Sequence, residues 1–357
     1  MWAISATARS NAASVAADGF CTPLILRTNW RAAASISSGV ATGSSPRSVV
    51  MLRHMPAPYA AYRASMTRPL FDVYCIVDWS ANSTPKRGAD SIWIGIAEAD
   101  GDPVATNMPT RAAALAALRE LIDQHVGRRI LIGLDFPFGY PVGFAAAAGL
   151  TDGPAWLATW QHLAAAIEDD HRNRNNRWAV ATDLNRRLGS PRLWGVPPRR
   201  ASIHLTTTRP PGVADLPLRH TEVVLRSHTG RPPFTNWQLL GAGSVGSQAL
   251  TGIPVAHALR QHPRVQVWPF DTGLAPATAA DAVVLAEVWP SIVKEDDLQP
   301  KDRGQVTALA RHFRTLDRAG DLVARFRPTL PDDVATAAVL EEGWVLDAPF
   351  GIRQDRP

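Results

Sequence analysis

Two short apolar runs, each ending on an aspartate, dominate the hydrophobic pattern of this chain. The stretch FDVYCIVDWSAN at 71–82 carries the apolar run VYCIV directly before Asp78, and RILIGLDFPFG at 129–139 leads in the same way to Asp135. Continuous apolar runs of this length predict strands that are buried on both faces, as in parallel sheets. Because such sheets bind ligands at the carboxyl ends of their strands, both aspartates are candidate site residues.

The segments between these runs predict the connection that brings the two aspartates together. SIWIGIAEA at 91–99, an Asp-Gly turn and a short extended piece near Val104 predict that three antiparallel strands follow one another. Thr110 then caps a helix whose apolar positions recur at three-and-four spacing, namely Leu115, Leu118, Leu121 and Ile122. A crossover helix joins parallel strands, so we expect Asp78 and Asp135 to be neighbours.

Residues 139–260 read as a largely helical insertion that is rich in arginine and tryptophan. A helix is predicted from Pro154 to Asp169, and its apolar stripe comprises Trp156, Trp160, Leu163 and Ile167. These tryptophans either belong to the core or form a platform for stacking bases. Between 171 and 200, eight arginines accompany a single acid, Asp183. This basic patch either binds phosphates or is a solvated, internally paired surface.

The stretch LLGAGSVGSQAL at 239–250 matches the dinucleotide-binding pattern G-x-G-x-x-G through Gly241, Gly243 and Gly246. The preceding FTNWQLL is a poor buried strand, and Pro254 falls where the following helix should continue. Three interpretations stay open: a turn that cradles phosphate at a helix start, a complete NAD site, and close packing that requires glycine.

The last third adds further acidic candidates. The run DAVVLAEVWPS at 281–291 predicts a strand that carries Glu287, and a helix opened by Pro300 or Asp302 follows it. A later helix over 330–344 begins with Asp332 and Asp333. Carboxylates in a first helical turn also complement the helix dipole, so capping and catalysis are competing explanations for that pair.

The excess positive charge lies in the first 65 residues, and the composition favours a protein of a reducing compartment. The 357 residues carry a net charge of +5, but residues 1–65 hold six arginines and only Asp18, so the remainder is neutral. That segment is a disordered arm, a targeting leader or an over-long start ahead of Met66. No apolar run approaches the roughly 20 residues that cross a bilayer. Cys21 and Cys75 give no disulfide framework, which favours a reducing, cytoplasmic location.

The VDWSAN, DFPFG, EVWPS and KDRGQ segments resemble an uncharacterised bacterial domain family of predicted nucleases with a ribonuclease H-like fold. The resemblance covers about residues 70–345 and implies an α/β fold in which a mixed sheet is flanked by helices, so that 66–357 form one domain. A looser likeness, through DWS, DFPFGYP, GAGSVGSQ and VWPF, is to bacterial proteins labelled as acting in molybdopterin guanine dinucleotide synthesis. That likeness implies a nucleotide pocket at the glycine stretch.

A metal-dependent phosphodiesterase or nuclease is the leading functional hypothesis. Clustered carboxylates raise one another's pKa unless cations neutralise them, and hard oxygen ligands suit Mg²⁺ or Mn²⁺. In this scheme two ions are held by carboxylates, and basic side chains contact the phosphates of a nucleic acid or nucleotide. The predicted metal ligands are Asp78, Asp135, Glu287 and either Asp332 or Asp333, and the predicted phosphate contacts are Lys86 and Arg174.

Alternative functions use other parts of the chain. A nucleotide-binding or cofactor-biosynthesis protein would use the glycine stretch at 241–246. A fold that has lost its activity would only bind a partner through the basic patch. Against all the catalytic readings, Asp78 and Asp135 are also ordinary turn residues that could simply bond loop amides.

Overall fold

A mixed six-stranded sheet forms the centre of the computed structural model, which describes residues 68–211, 216–229, 235–241 and 244–349. The strands are β1 (Val73–Asp78), β2 (Ile92–Glu98), β3 (Val104–Met108), β4 (Ile130–Leu134), β5 (Val265–Val267) and β6 (Val283–Glu287). Their order across the sheet is β3-β2-β1-β4-β6-β5. Strand β2 is antiparallel to β1 and β3, whereas β1, β4, β6 and β5 run parallel. The predicted α/β class with a mixed sheet is confirmed.

Helices flank this sheet. They are α1 (Arg111–Gln124), α2 (Phe144–Ala147), α3 (Ala155–Ala166), α4 (Arg177–Arg187), α5 (His220–Thr229), α6 (Gly246–Arg260), α7 (Lys301–Arg318), α8 (Leu322–Arg325) and α9 (Asp332–Ala337). Short 3₁₀ turns lie at Pro198–Arg200 and Pro290–Ile292, and a π-helical turn at Ala338–Glu342 follows α9. None of the described helices is both long and apolar enough to cross a membrane. The predictions for residues 1–65 lie outside the described part of the chain.

Helix α1 confirms the predicted crossover between β1 and β4. The Thr110 hydroxyl accepts a hydrogen bond of 3.1 Å from the backbone N–H of Ala113, which is the expected N-cap contact. Leu118, Leu121 and Ile122 are buried on the face that packs against the sheet. Strand β4 consequently lies directly beside β1 and parallel to it.

Five helices lie in the segment between β4 and β5, but residues 188–211 hold only a short 3₁₀ turn, so the described part of the predicted insertion mixes helices with irregular segments. Trp156 and Trp160 of α3 are buried, and their rings pack against each other and against Phe270. They therefore belong to the core. A base-stacking platform would require exposed ring faces.

Helix α6 corrects the expectation that Pro254 interrupts the segment after the glycines, because the helix runs from Gly246 to Arg260 with Pro254 inside it. The neighbours Ile253, Val255 and Ala256 are all buried. Tertiary packing around almost the whole circumference of α6 offsets the backbone hydrogen bond that a proline removes.

The two faces of the sheet are covered by different apolar clusters. Val77 of β1, Leu134 of β4 and Leu285 of β6 belong to the cluster under α1, α3 and α6. Ile76 of β1 and Ala286 of β6 belong to the cluster under α7. Successive side chains of a strand point to opposite faces of the sheet. An acidic residue at a strand end therefore points to the same face as the apolar residue two positions before it.

Helix α7 lies unusually close to the sheet because β2 carries a glycine at the contact. A Cβ atom at Gly95 would lie 2.7 Å from the backbone carbonyl carbon of Val306 in α7. The helix packs across β1 and β2, and its first turn includes Asp302. This approach brings an additional carboxylate toward the end of β1.

Candidate functional site

The carboxyl ends of β1 and β4 bring Asp78 and Asp135 together. Val77 pairs with Leu134 in the parallel register, and the N–H of Asp135 donates to the carbonyl of Val77 over 3.2 Å. Each aspartate directly follows this matched pair. Their carboxyl groups lie within hydrogen-bonding reach of each other, as the sequence predicted.

This carboxyl pair is electrostatically unfavourable when both members are ionised. Burial raises the pKa of Asp78 well above its usual range, and the charge of Asp135 raises it further. Burial also raises the pKa of Asp135 to about 7, although hydrogen bonds from Asp78 and from the Trp79 amide oppose that shift. The Trp79 N–H donates to Oδ1 of Asp135 over 2.7 Å. In the absence of a cation, the pair is therefore expected to share one proton at neutral pH.

Two acids that the sequence analysis did not place in the site lie next to this pair. Asp302, at the start of α7, and Asp90, in the β1–β2 loop, both raise the pKa of Asp78 electrostatically. Oδ2 of Asp302 accepts the N–H of Asp90 over 2.7 Å. Burial raises the pKa of Asp302 too. Asp302 was read only as a helix-opening residue, because no local pattern shows that α7 begins against the end of β1.

A cavity of about 660 Å³ opens in front of Asp78, within the size range of small-molecule sites. We call the part formed by Asp78, Asp90 and Asp302 the acidic wall. A second group of lining residues, which we call the donor wall, comes from α4, from α6 and from the segment before α6. It comprises Arg177, Gly241, Ser244, Ser247 and Gln248.

The loop after β1 is fixed by a buried arginine at the start of α1. Nη1 of Arg111 donates to the carbonyl oxygens of Ser80 and Asn82 over 3.0 and 2.8 Å. The same guanidinium forms a bidentate ion pair with Asp169. The contact links the insertion to the loop, so it positions the residues that follow Asp78. It was missed because its two partners are 58 residues apart in sequence.

The donor wall is tied to the end of β1 through the first turns of α6. Nε2 of Gln248 donates to the Trp79 carbonyl over 2.8 Å, and Nε1 of Trp79 donates to the hydroxyl of Thr251 over 3.3 Å. Arg177 donates from Nε to the Ser247 hydroxyl over 3.1 Å. Arg177 lies within the predicted basic patch, but nothing in the sequence distinguishes it from the other arginines there.

The glycine stretch divides into residues with different roles. Gly241 lines the cavity and has a φ of 101°, which favours glycine. Gly246 packs against the backbone of Asn236, leaves no room for a side chain and donates its N–H to the carbonyl of Gln238 over 3.0 Å. The prediction of a phosphate contact at Gly246 is thus corrected to a packing role. Gly243 lies outside the described residues.

The predicted place of Glu287 in the acid cluster is corrected by the sheet register. Glu287 pairs with Leu134 and shares the parity of Leu285, so its side chain projects from the face under α6, whereas Asp78 projects toward α7. Both oxygens of Glu287 accept hydrogen bonds of 2.7 Å from Arg219. Oε2 also accepts the N–H of Phe138 over 2.9 Å.

Glu287 belongs instead to a buried ion cluster. Nε of Arg219 donates to Glu222 over 3.0 Å, and all three side chains are buried. Burial alone would lower the pKa of Arg219, but Glu287 and Glu222 together raise it well above its usual value. The cluster joins α5 to the end of β6 and has a structural role.

The remaining predicted site residues lie away from the described lining of the cavity. Asp332 and Asp333 are exposed in the first turn of α9, where the helix dipole favours carboxylates. Arg174 is exposed and paired with Asp170 over 2.7 Å. Lys86 pairs over 3.1 Å with Asp90 at the cavity rim. The placement of Asp332, Asp333 and Arg174 corrects their predicted roles.

The described residues offer a metal ion only a small set of ligands. Among the described residues, no group of three or more His, Cys, Asp or Glu side chains is arranged to hold a metal ion. The two-ion cage that required Glu287 and Asp332 is accordingly not assembled. The Asp78 and Asp135 pair still offers what Mg²⁺ commonly uses, namely one or two carboxylates with the remaining positions filled by water and substrate phosphate.

Comparisons of the chain with protein-family models, with curated proteins and with solved structures found no match.

The ion cluster predicts a large loss of stability when its cation is removed. Arg219→Met leaves Glu287 and Glu222 buried without a counter-charge, so the free energy of unfolding should fall by about 3–5 kcal/mol. Urea denaturation measures this loss. Arg174→Met, which removes an exposed arginine, is the matched control and should change stability by about 0.5 kcal/mol or less. Equal stabilities of the two variants would contradict the structural role of the cluster.

The carboxyl pair predicts that stability falls as pH rises. Because the folded pKa values of Asp78 and Asp135 exceed the unfolded value of about 3.9, their contribution is present below about pH 4 and is lost as pH rises, for Asp135 through about 7. Asp78→Asn removes one of the two charges. Thermal unfolding in a chelator should show that the free energy of unfolding of the variant rises relative to that of wild type between about pH 5 and 8. The expected gain is about 1.4 kcal/mol for each unit of raised pKa that the substitution removes. The exposed-site variant Asp333→Asn should track wild type, and parallel curves for Asp78→Asn would refute the prediction.

Proposed function

We propose that this protein is a metal-dependent phosphodiesterase that acts on nucleic acid or nucleotides. The observation that carries the proposal is that one cavity joins the half-buried carboxyl group of Asp78 to a donor wall containing Arg177 and the start of α6. Carboxylates bind the cation that a phosphodiester needs, and guanidinium groups and helix N-termini favour the phosphate itself.

The topology supports the ribonuclease H-like interpretation. Three antiparallel strands in sequence are followed by a helix and a parallel strand, which gives the order β3-β2-β1-β4-β6. In the arrangement that the sequence resembles, acids gather at one end of such a sheet. Here the acids at that end are Asp78, Asp135 and Asp302, and the additional strand β5 lies outside β6.

The two members of the pair have different roles in the proposed mechanism. Asp78 lines the cavity, so it is the group placed to contact a ligand or an attacking water. Asp135 accepts the Trp79 N–H and holds the Asp78 carboxyl in place. A bound Mg²⁺ or Mn²⁺ would neutralise both carboxylates and act as a Lewis acid toward the phosphodiester. Asp302 adds negative potential at the same point and accepts the Asp90 N–H, which orders the rim of the cavity.

A nucleotide-binding protein without hydrolytic activity is the second candidate. It is favoured by Gly241, Ser244 and Ser247, which bring the glycine stretch and the first turn of α6 into the same cavity. This interpretation agrees with the likeness to proteins of molybdopterin guanine dinucleotide synthesis. It requires no role for Asp135.

Cleavage assays with a metal titration test the leading proposal. Single- and double-stranded DNA and RNA and dinucleotides are incubated with Mg²⁺ or Mn²⁺. Wild type is expected to cleave at least one of these substrates. Asp78→Asn removes the carboxylate that lines the cavity and Asp135→Asn removes the charge that positions it beside a cation, so each should reduce the rate by about 100-fold or more.

Asp333→Asn is the matched control, because it neutralises an exposed aspartate on α9 and should keep the wild-type rate. Cleavage by Asp78→Asn at the wild-type rate would remove the pair from the mechanism. Nucleotide binding without metal-dependent cleavage of any substrate would favour the second candidate.

A further inference from the structure

We propose that Arg177, together with Ser247 at the start of α6, forms a binding site for a terminal phosphate group, distinct from the carboxyl pair. The ligand class is a phosphomonoester dianion, such as the terminal phosphate of a nucleotide. The binding site itself does not require that the protein hydrolyses anything. Its extension to a substrate rests on the proposed function.

The guanidinium of Arg177 is buried but is held only by neutral groups. The residue is 7% exposed. Its Nε donates to the Ser247 hydroxyl over 3.1 Å, and its Nη1 donates to the Ser83 hydroxyl over 2.9 Å and to Oδ1 of Asn175 over 2.8 Å. The guanidinium also lies over the ring of Trp178, 4.2 Å from its centroid. These contacts fix the plane of the group and involve no charged acceptor.

No carboxylate within the described residues forms an ion pair with Arg177. The nearby Asp169 is engaged in the bidentate pair with Arg111. Burial and the charge of Arg111 together lower the pKa of Arg177 to about 10. A buried cation without a counter-ion is costly, so an anion that enters the cavity is stabilised there.

Arg177 has one donor edge that remains available to such an anion. Nη2 has no acceptor among the described residues, and the side chain lines the cavity. Charge-assisted hydrogen bonds from a guanidinium to phosphate are among the stronger polar contacts in proteins. Two other arginines of this patch have different surroundings. Arg174 and Arg187 pair with Asp170 and Asp183 on the surface.

The start of α6 adds to the same site. Ser247 lies in the first turn of this 15-residue helix, and its hydroxyl both accepts from Arg177 and donates to the Leu239 carbonyl over 2.6 Å. The N-terminal end of a helix carries a partial positive charge that favours anions. The Ser247 hydroxyl holds the Arg177 guanidinium at this end of α6. The guanidinium and the helix N-terminus can therefore bind the same anion.

The same first turn connects this site to the catalytic candidates. Gln248, next to Ser247, bonds the carbonyl of Trp79, and Trp79 directly follows Asp78. A nucleotide whose terminal phosphate meets Arg177 would thus extend toward Asp78 within one cavity. If the proposed function holds, this arrangement selects substrates that carry a terminal phosphate.

Calorimetric titration with inorganic phosphate at pH 7.5 in the presence of a chelator tests the site without turnover. Wild type is expected to bind phosphate. Arg177→Met should weaken binding by about 10- to 100-fold, which corresponds to the loss of a charged hydrogen bond. Arg174→Met, three residues away and exposed, is the matched control and should bind as wild type does.

A ligand series on wild type gives an outcome that does not depend on the stability of a variant. Adenosine 5′-monophosphate should bind more tightly than 3′,5′-cyclic adenosine monophosphate, and adenosine should bind weakest, because only the first offers a dianion. Absence of phosphate binding by wild type would overturn the proposal. So would equal losses in Arg177→Met and Arg174→Met, or binding of adenosine as tight as that of its monophosphate.

Asp78→Asn separates this proposal from the proposed function. Asp78 makes no contact with Arg177 in the hydrogen bonds and ion pairs of the described residues, and its charge repels an anion in the shared cavity, so the variant should bind phosphate in the chelator at least as tightly as wild type. Phosphate binding by wild type without cleavage of any phosphodiester would leave the site standing and refute the hydrolase. Metal-dependent cleavage without phosphate binding would support the hydrolase and refute the phosphate site.

Discussion

The parallel register between β1 and β4 is the constraint on which the candidate site depends. It pairs Val77 with Leu134 and so places Asp78 and Asp135 next to each other at the carboxyl ends of two buried strands. The apolar residues on both faces hold this register, because a shift by one residue would move each strand's buried side chains to the opposite face. The sheet therefore supplies the free energy that keeps two carboxyl groups within hydrogen-bonding reach. Isolated in water, the same two groups would separate.

The alternation of side chains along the strands also explains why Asp78 and Glu287 belong to two separate acidic centres in the described part of the chain. Asp78 projects toward α7, where Asp302 meets it, whereas Glu287 projects toward the other face and binds Arg219. In the first centre, no arginine or lysine bonds to Asp78 or Asp135 among the described contacts. The pKa values of both aspartates are raised. In the second centre a buried arginine satisfies the charge. The proposed function uses the first centre, because perturbed acids that line a cavity are the usual candidates for a functional site.

Much of the fold could be predicted from the sequence, whereas the membership of the site could be predicted only in part. The apolar runs before Asp78 and Asp135, the cap at Thr110 and the crossover helix indicated the neighbouring strands correctly. The role predicted for Glu287 was wrong because an apolar run indicates a strand but not the face of the sheet to which each of its side chains points. Asp302 and Arg177 were missed since their partners are distant in sequence, and only the close approach of α7 and α6 identifies them. Pro254 misled the reading of α6, as packing outweighs local propensity in a buried helix.

Localisation of a bound cation tests the central claim most directly. Crystals grown with Mn²⁺ would show the ion through its anomalous scattering, independently of any catalytic assay. The account predicts one ion bonded to carboxylate oxygens of Asp78 and Asp135, and its loss in Asp78→Asn. An ion bound at Glu287 or at Asp332 would contradict it. So would the absence of any ion at the Asp78 and Asp135 pair at saturating Mn²⁺.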